Sequence, residues 1–174
     1  MLARIVLLLL CCLAPLSTKA VVFNPEPFEL ENGLQVVVIE NHRAPIVTHM
    51  VWYKVGDADA PANLSGMPHL LEHLMFKGTK QVGPGQFSKI VARNGGRDNA
   101  FTGSDFTAYY QNVAADRLEM VMKMEADRMT NLALDPKLIE TERQVVLEER
   151  RTRTDNAPAA RLREKMGPLQ YAKH

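Results

Sequence analysis

Five consecutive residues, His69-Leu70-Leu71-Glu72-His73, read H-x-x-E-H. On a helix, histidines four apart lie one turn apart on the same face, so both imidazoles can reach a single metal ion. Zinc–nitrogen bonds of about 2.0–2.1 Å require that convergence, which neighbours one or two residues apart could not provide. Glu72, three residues beyond His69, lies close to the same face. There it can touch a water activated at the metal without being a ligand itself. Zinc lowers the pKa of such a water to roughly 7, and an adjacent carboxylate completes the deprotonation. This order of residues is the inverted form of a metallopeptidase signature.

A catalytic zinc site takes three protein ligands and leaves one position open. The third ligand is expected from the run Glu142-Arg143-Gln144-Val145-Val146-Leu147-Glu148-Glu149. Glu142 and Glu149 stand two helical turns apart and share a face, whereas Glu148 is rotated roughly 100° from Glu149. Spacing alone leaves Glu148 and Glu149 both open as the ligand. Val145, Val146 and Leu147 are expected to pack on the core and carry the acidic face inward. The other histidines read as unliganded: His42 in a loop, His49 in an alternating strand and His174 at the terminus. Ser65, Ser88 and Ser104 show no nucleophile context.

The elements that must position these groups follow from pattern. Phe28–Leu30 and Leu34–Glu40 read as strands around the turn Glu31-Asn32-Gly33, and Ile46–Val55 as another strand. Gly66–Phe76 reads as the motif helix, with Pro68 in its first turn and Lys77-Gly78 closing it. Gln86–Arg93 is a second helix, stopped by Asn94-Gly95-Gly96, and Ala100–Val113 returns to strand character. Ala115–Asn131 carries an apolar stripe that includes Leu118, Val121, Met122, Met124, Glu125 and Met129. Asp135 caps a last helix with Pro136 at its first position, running through Arg150 and resuming near Ala159. The charge-rich stretch from Glu148 to Lys165 reads as a solvated helix face. Strands followed by helices predict an α+β architecture, a mixed or antiparallel sheet with helices packed on one side.

Composition narrows the class. The chain has 174 residues, 46% hydrophobic and 24% charged with a formal charge of +1, which excludes a mainly disordered chain and gives no sign of nucleic-acid binding. Residues 1–20 have the layout of a secretory signal peptide: a basic start at Arg4, the apolar run Ile5–Ala14, and small residues up to Ala20. That run is about half of the roughly 20 residues a permanent span needs. A mitochondrial presequence, the rival, would be richer in Arg than this segment. Residues 21–174 are then the exported domain, periplasmic or secreted, and both cysteines, Cys11 and Cys12, leave with the leader. Any metal must be held by histidines and carboxylates.

Taken in order, His69-x-x-Glu72-His73, the segment Asn99-Ala100-Phe101-Thr102 and the pair Glu142 and Glu149 resemble the insulinase/pitrilysin family of inverted-motif zinc metallopeptidases. The resemblance covers residues 28–165. It implies one zinc ion per chain on His69, His73 and Glu149, with Glu72 as general base and Glu142 as a supporting carboxylate. It also selects Glu149 over Glu148. Asn99, Ala100, Phe101 and Thr102 are similar to the family's substrate-binding edge strand, on which an extended peptide adds as a further strand. Family members are built from two similar halves or two subunits, so the resemblance implies that this is an N-terminal catalytic half. Its partners would be peptide substrates and a complementary C-terminal half or homologous subunit. The expected function is zinc-dependent endopeptidase action on extended peptides. The alternative is a non-catalytic peptide-binding or scaffold half with a structural zinc.

Overall fold

Alternation of apolar and polar residues, interrupted by turn-forming pairs, shapes the N-terminal part of the chain. The structure is a computed structural model that describes residues 24–171. The expected leader at 1–20, with Cys11 and Cys12, and His174 lie outside the described residues. The chain divides into two units, which meet between Ala44 and Pro45. In the first, β1 (Pro25–Glu29) and β2 (Gln35–Ile39) pair antiparallel from Pro25↔Ile39 to Glu29↔Gln35. Their turn closes through Gly33 N–H to Leu30 C=O (2.8 Å) and Leu34 N–H to Asn32 Oδ1 (3.1 Å). The hairpin forms where Asn-Gly predicts it, with β1 beginning three residues earlier than expected and β2 one residue shorter at each end.

The second unit holds a three-stranded antiparallel sheet in the order β3 (Ile46–Tyr53), β5 (Thr107–Ala114), β4 (Arg97–Thr102). The β stretch expected at Ala100–Val113 is therefore a hairpin. Gly103 N–H donates to Phe106 C=O (2.8 Å) at its turn, and β4 begins three residues earlier than composition suggests. Burial alternates along β3, β4 and the second half of β5, while the first half of this central strand is covered on both faces. Val47, His49, Val51, Asp98, Ala100, Thr102 and Gln111 face the helices. Trp52 and Phe101 face the other way, in edge contact with each other (ring centroids 5.7 Å apart).

Among the described residues five α-helices follow the period of their apolar positions: α1 (Met67–Leu74), α2 (Gln86–Arg93), α3 (Leu118–Asn131), α4 (Pro136–Arg150) and α5 (Pro158–Gln170). Among the described residues none is long and apolar enough to cross a membrane. The core joins α2 and α3 to the sheet through Phe87, Val91, Val113, Val121 and Met124. At Gly96 the chain passes so close to this core that a Cβ would lie 2.6 Å from Val113 Cγ1 and 2.9 Å from Val91 Cγ1. Any side chain there would push β4 off its neighbours.

Two apolar expectations are corrected. Met122 and Met129 of α3 are exposed, and the buried stripe is Val121, Met124, Glu125 and Arg128. Charge enters this core because it is paired. Arg128 donates to both oxygens of Glu125, Gln111 Nε2 donates to Glu125 Oε1 (2.6 Å), and the guanidinium stacks between Phe87 and Tyr109 at 4.4 Å from each ring. On α4, Val145 and Leu147 are exposed, not packed. The inward stripe is Glu142, Val146 and Glu149, spaced four and three residues apart along one helix face.

Candidate metal centre

The motif helix α1 starts at Gly66 with Pro68 in its first turn, where a missing N–H costs nothing. Leu74 is its buried anchor, while Leu71 stays exposed. A single tight turn, Met75–Lys77, extends it before Gly78, which takes φ +94°, a conformation open to glycine. α4 is capped by Asp135, whose carboxylate accepts from Lys137 N–H at 2.8 Å, and its inward stripe faces α1. Two short stripes thus oppose each other: His69, His73 and Lys77 against Glu142, Val146 and Glu149.

Across that seam His69 Nε2 and His73 Nε2 each lie 3.6 Å from the same atom, Glu149 Oε2. The two imidazole rings are edge-to-face, with centroids 4.8 Å apart. Ligand atoms of His69, His73 and Glu149 all fall within 4.8 Å of one another. Glu149 Oε2 is buried and has no hydrogen-bond partner, whereas Oε1 of the same carboxylate meets Arg153 Nη2 at 3.5 Å. An unsatisfied carboxylate oxygen is costly in a buried place. Neighbouring ligands on a tetrahedral ion sit about 3.3 Å apart when bonds are about 2.0–2.1 Å, so these spacings fit an ion between them. Two imidazole nitrogens and one carboxylate oxygen are also the donor set of a catalytic zinc site with one open position.

Glu142 takes a different part. Its Oε1 accepts from His73 Nδ1 at 2.9 Å and its Oε2 is paired with Lys77 Nζ. Burial pushes the Glu142 carboxyl up, but the hydrogen bonds from Lys77 and His73 and their charges outweigh it and hold it below the usual carboxylate range. Because Glu142 accepts at Oε1, His73 carries its proton on Nδ1, and the Nε2 lone pair is left facing Glu149 and His69. Glu148, the other carboxylate that spacing left open, points to solvent and pairs with Arg151 (2.9 Å).

Glu72 Oε2 accepts from Thr102 Oγ1 at 2.5 Å, so the motif helix and the edge strand β4 meet at this hydroxyl. Thr102 is therefore turned toward the motif, as is Ala100. Asn99 and Phe101 lie on the opposite side of the strand, where Phe101 packs on Trp52, Phe106 and Tyr110. An open cleft of about 510 Å³ joins these parts, lined by His69, Glu72, His73, Asn99, Ala100 and Glu149 among others. His49 lies on β3, as its sequence position predicts, with its Nδ1 2.9 Å from Gln111 Oε1. Sequence reasoning missed Lys77 and Arg153. Lys77 could have been found, since it follows His73 by four residues on the same stripe. Arg153 sits in a wide π-type turn, Arg151–Asp155, that no local signal marks.

Residues 35–168 match the insulinase family, peptidase family M16. This chain belongs to that family. It is 40% identical over 150 residues to the zinc protease PqqE of Helicobacter pylori, covering 86% of this chain and 34% of that protein. To the beta subunit of the mitochondrial-processing peptidase of Blastocladiella emersonii it is 36% identical over 121 residues, covering 69% of this chain and 26% of the relative. Among solved structures, a protease from Helicobacter pylori superposes with a TM-score of 0.77 at 41% identity, over 80% of this chain and 34% of the other. Pitrilysin superposes with a TM-score of 0.66 at 27% identity, over 76% of this chain and 14% of its own. The chain thus spans about a third or less of the length of these relatives. The α+β reading stands, and the family is one of zinc proteases.

Proposed function

We propose that this M16 chain is the metal-holding half of a zinc endopeptidase that hydrolyses extended peptides or unfolded segments. The observation that carries the reading is the bare Glu149 Oε2, buried at equal distance from two imidazole nitrogens. His69, His73 and Glu149 would hold one divalent ion per chain, and such an ion supplies Lewis acidity toward a carbonyl and acidifies water. Glu72, fixed by Thr102 at the edge of the same cleft, takes the proton of the attacking water and delivers it to the leaving amine.

Substrate is held by the backbone of β4. This strand has β5 on one side only, so its other edge is free within the sheet. The hydrogen bond from Gly103 to Phe106 sets the alternation of the antiparallel ladder. By that alternation Phe101 and Asn99 bond to β5, and the main-chain groups of Ala100 and Thr102 face the free edge. The Ala100 N–H is met by the side chain of Asn99 (2.9 Å) rather than by β5, in keeping with that register. A peptide laid along this edge runs past Glu72 and the His69–His73–Glu149 group. A complementary C-terminal half or homologous subunit would close the cleft and exclude water. Residues 1–20, read as a secretory leader, would place the enzyme in the periplasm or outside the cell.

The test is Glu72→Gln in protein that carries the complementary half, assayed on a fluorogenic peptide with zinc counted by elemental analysis. Hydrolysis is expected to fall by about 10²–10⁴-fold with zinc still near one per chain. Full turnover in that variant rejects Glu72 as the base, and comparable zinc in His73→Ala rejects the ligand set. A scaffold half with structural zinc would lose nothing on Glu72→Gln because it has no turnover to lose.

A further inference from the structure

Two carboxylates, Glu142 and Glu149, stand on one helix face within reach of the same histidine, yet only one has an uncommitted oxygen. Glu142 has both oxygens engaged, by His73 Nδ1 at 2.9 Å and by Lys77 Nζ. Glu149 has one oxygen on Arg153 and one bare. The geometry points to Lys77 as the residue that makes this division, a positioning residue for the metal centre. Lys77 is eight residues from His69 and four from His73, so it extends the histidine stripe by one turn and meets Glu142 where that carboxylate would otherwise be free to rotate. The Glu142 side chain is only 8% exposed, so loss of the ammonium would leave a largely buried carboxylate oxygen without its charged partner.

Lys77 acts in two ways, both through Glu142. It holds the carboxylate in the one orientation that accepts from His73 Nδ1, which keeps the His73 Nε2 lone pair aimed at the centre. It also occupies the Glu142 oxygen that could compete with Glu149, so the donor set stays at two histidines and one carboxylate. This inference rests on the reading of His69, His73 and Glu149 as a divalent-ion site.

The experiment is zinc affinity of the chain, by competition with a chromophoric chelator and with zinc alone as the ligand. It is run where each metal-free variant is shown by circular dichroism to be folded. Lys77→Met should weaken zinc binding about 10–100-fold, the range for lost outer partners of a metal ligand. Lys77→Arg, which keeps the charge, should stay within about threefold of the parent chain. Adding Lys77→Met to Glu142→Gln should cause no further loss, since the single amide oxygen can no longer accept from both Lys77 and His73. Long-range ¹⁵N–¹H spectra of the metal-free chain should show His73 protonated on Nδ1, and a mixed tautomer population in Lys77→Met.

The inference is overturned if Lys77→Met binds zinc within twofold of the parent. It also fails if the Lys77 and Glu142 losses simply add. Should Lys77→Met not fold, the Lys77→Met/Glu142→Gln double variant, with no unpaired carboxylate, decides by the same comparison with Glu142→Gln. Failure of the site reading looks different: there the parent chain takes up no more zinc than His73→Ala.

Discussion

At the level of single side chains, the proposed centre gives each polar group one task. His73 donates from one nitrogen and offers the other, Glu149 is satisfied at one oxygen and bare at the other, and Glu72 is held by a hydroxyl at Oε2. The Thr102 hydroxyl donates to a carboxylate in a half-buried setting, a class of hydrogen bond worth about 1.5–3 kcal/mol. Thr102→Val keeps the shape and the strand backbone but removes that donor. It is expected to lower kcat by about 10–100-fold with KM and zinc content unchanged. Thr102→Ser should restore most of the rate, and a rise in KM alone would show that the hydroxyl serves substrate instead. The placement of the two histidines and Glu72 beside one cleft was legible from spacing because a helix leaves few ways to bring three such groups together. The choice of Glu149 over Glu148 was not, since both rotations are compatible with an amphipathic helix. Contact with Arg151 at the surface keeps Glu148 out of the site.

Among the elements, β4 is the one on which the proposed substrate and the proposed base converge. Its edge groups should be separable from its fold. Ala100 has an N–H that serves no ladder partner, so Ala100→Pro deletes an edge donor at a strand position where proline is tolerable. The expected result is a KM raised about 3–10-fold, the worth of one neutral hydrogen bond, with the melting midpoint nearly unchanged. An unchanged KM would mean that the peptide does not pair at Ala100. Hairpin and helix positions in this region were readable because turn residues punctuate them. The inward faces of α3 and α4 were less so. Val145, Leu147, Met122 and Met129 look like core by composition, yet the stripes that pack are spaced four and three residues apart and include Glu125, Arg128, Glu142 and Glu149. Polar residues buried in mutual pairs are invisible to a hydrophobic pattern, because their burial depends on pairing and not on apolar character.

Within the second unit, burial of a tyrosine beside the same charged pair adds a response to pH. Tyr53 is pushed up to about 12 by burial and then by the charge of Glu125, against the opposing effect of Arg128, and its hydroxyl is buried without a partner. The folded value lies above the unfolded one of 10.0, so its contribution to stability is intact below pH 10 and is lost as pH rises toward 12. Tyr53→Phe should therefore be neutral to about 1 kcal/mol stabilising in urea unfolding at pH 7, and should lose less stability than the parent between pH 10 and 11.5. A variant clearly less stable at pH 7 would show that the hydroxyl has a partner in solution. The outward side of the sheet has a practical corollary. Trp52 is the sole indole of the chain, and it rests against Phe101 of the strand proposed to receive the peptide. Its emission is thus a built-in optical gauge of docking, readable without label and even when catalysis is switched off.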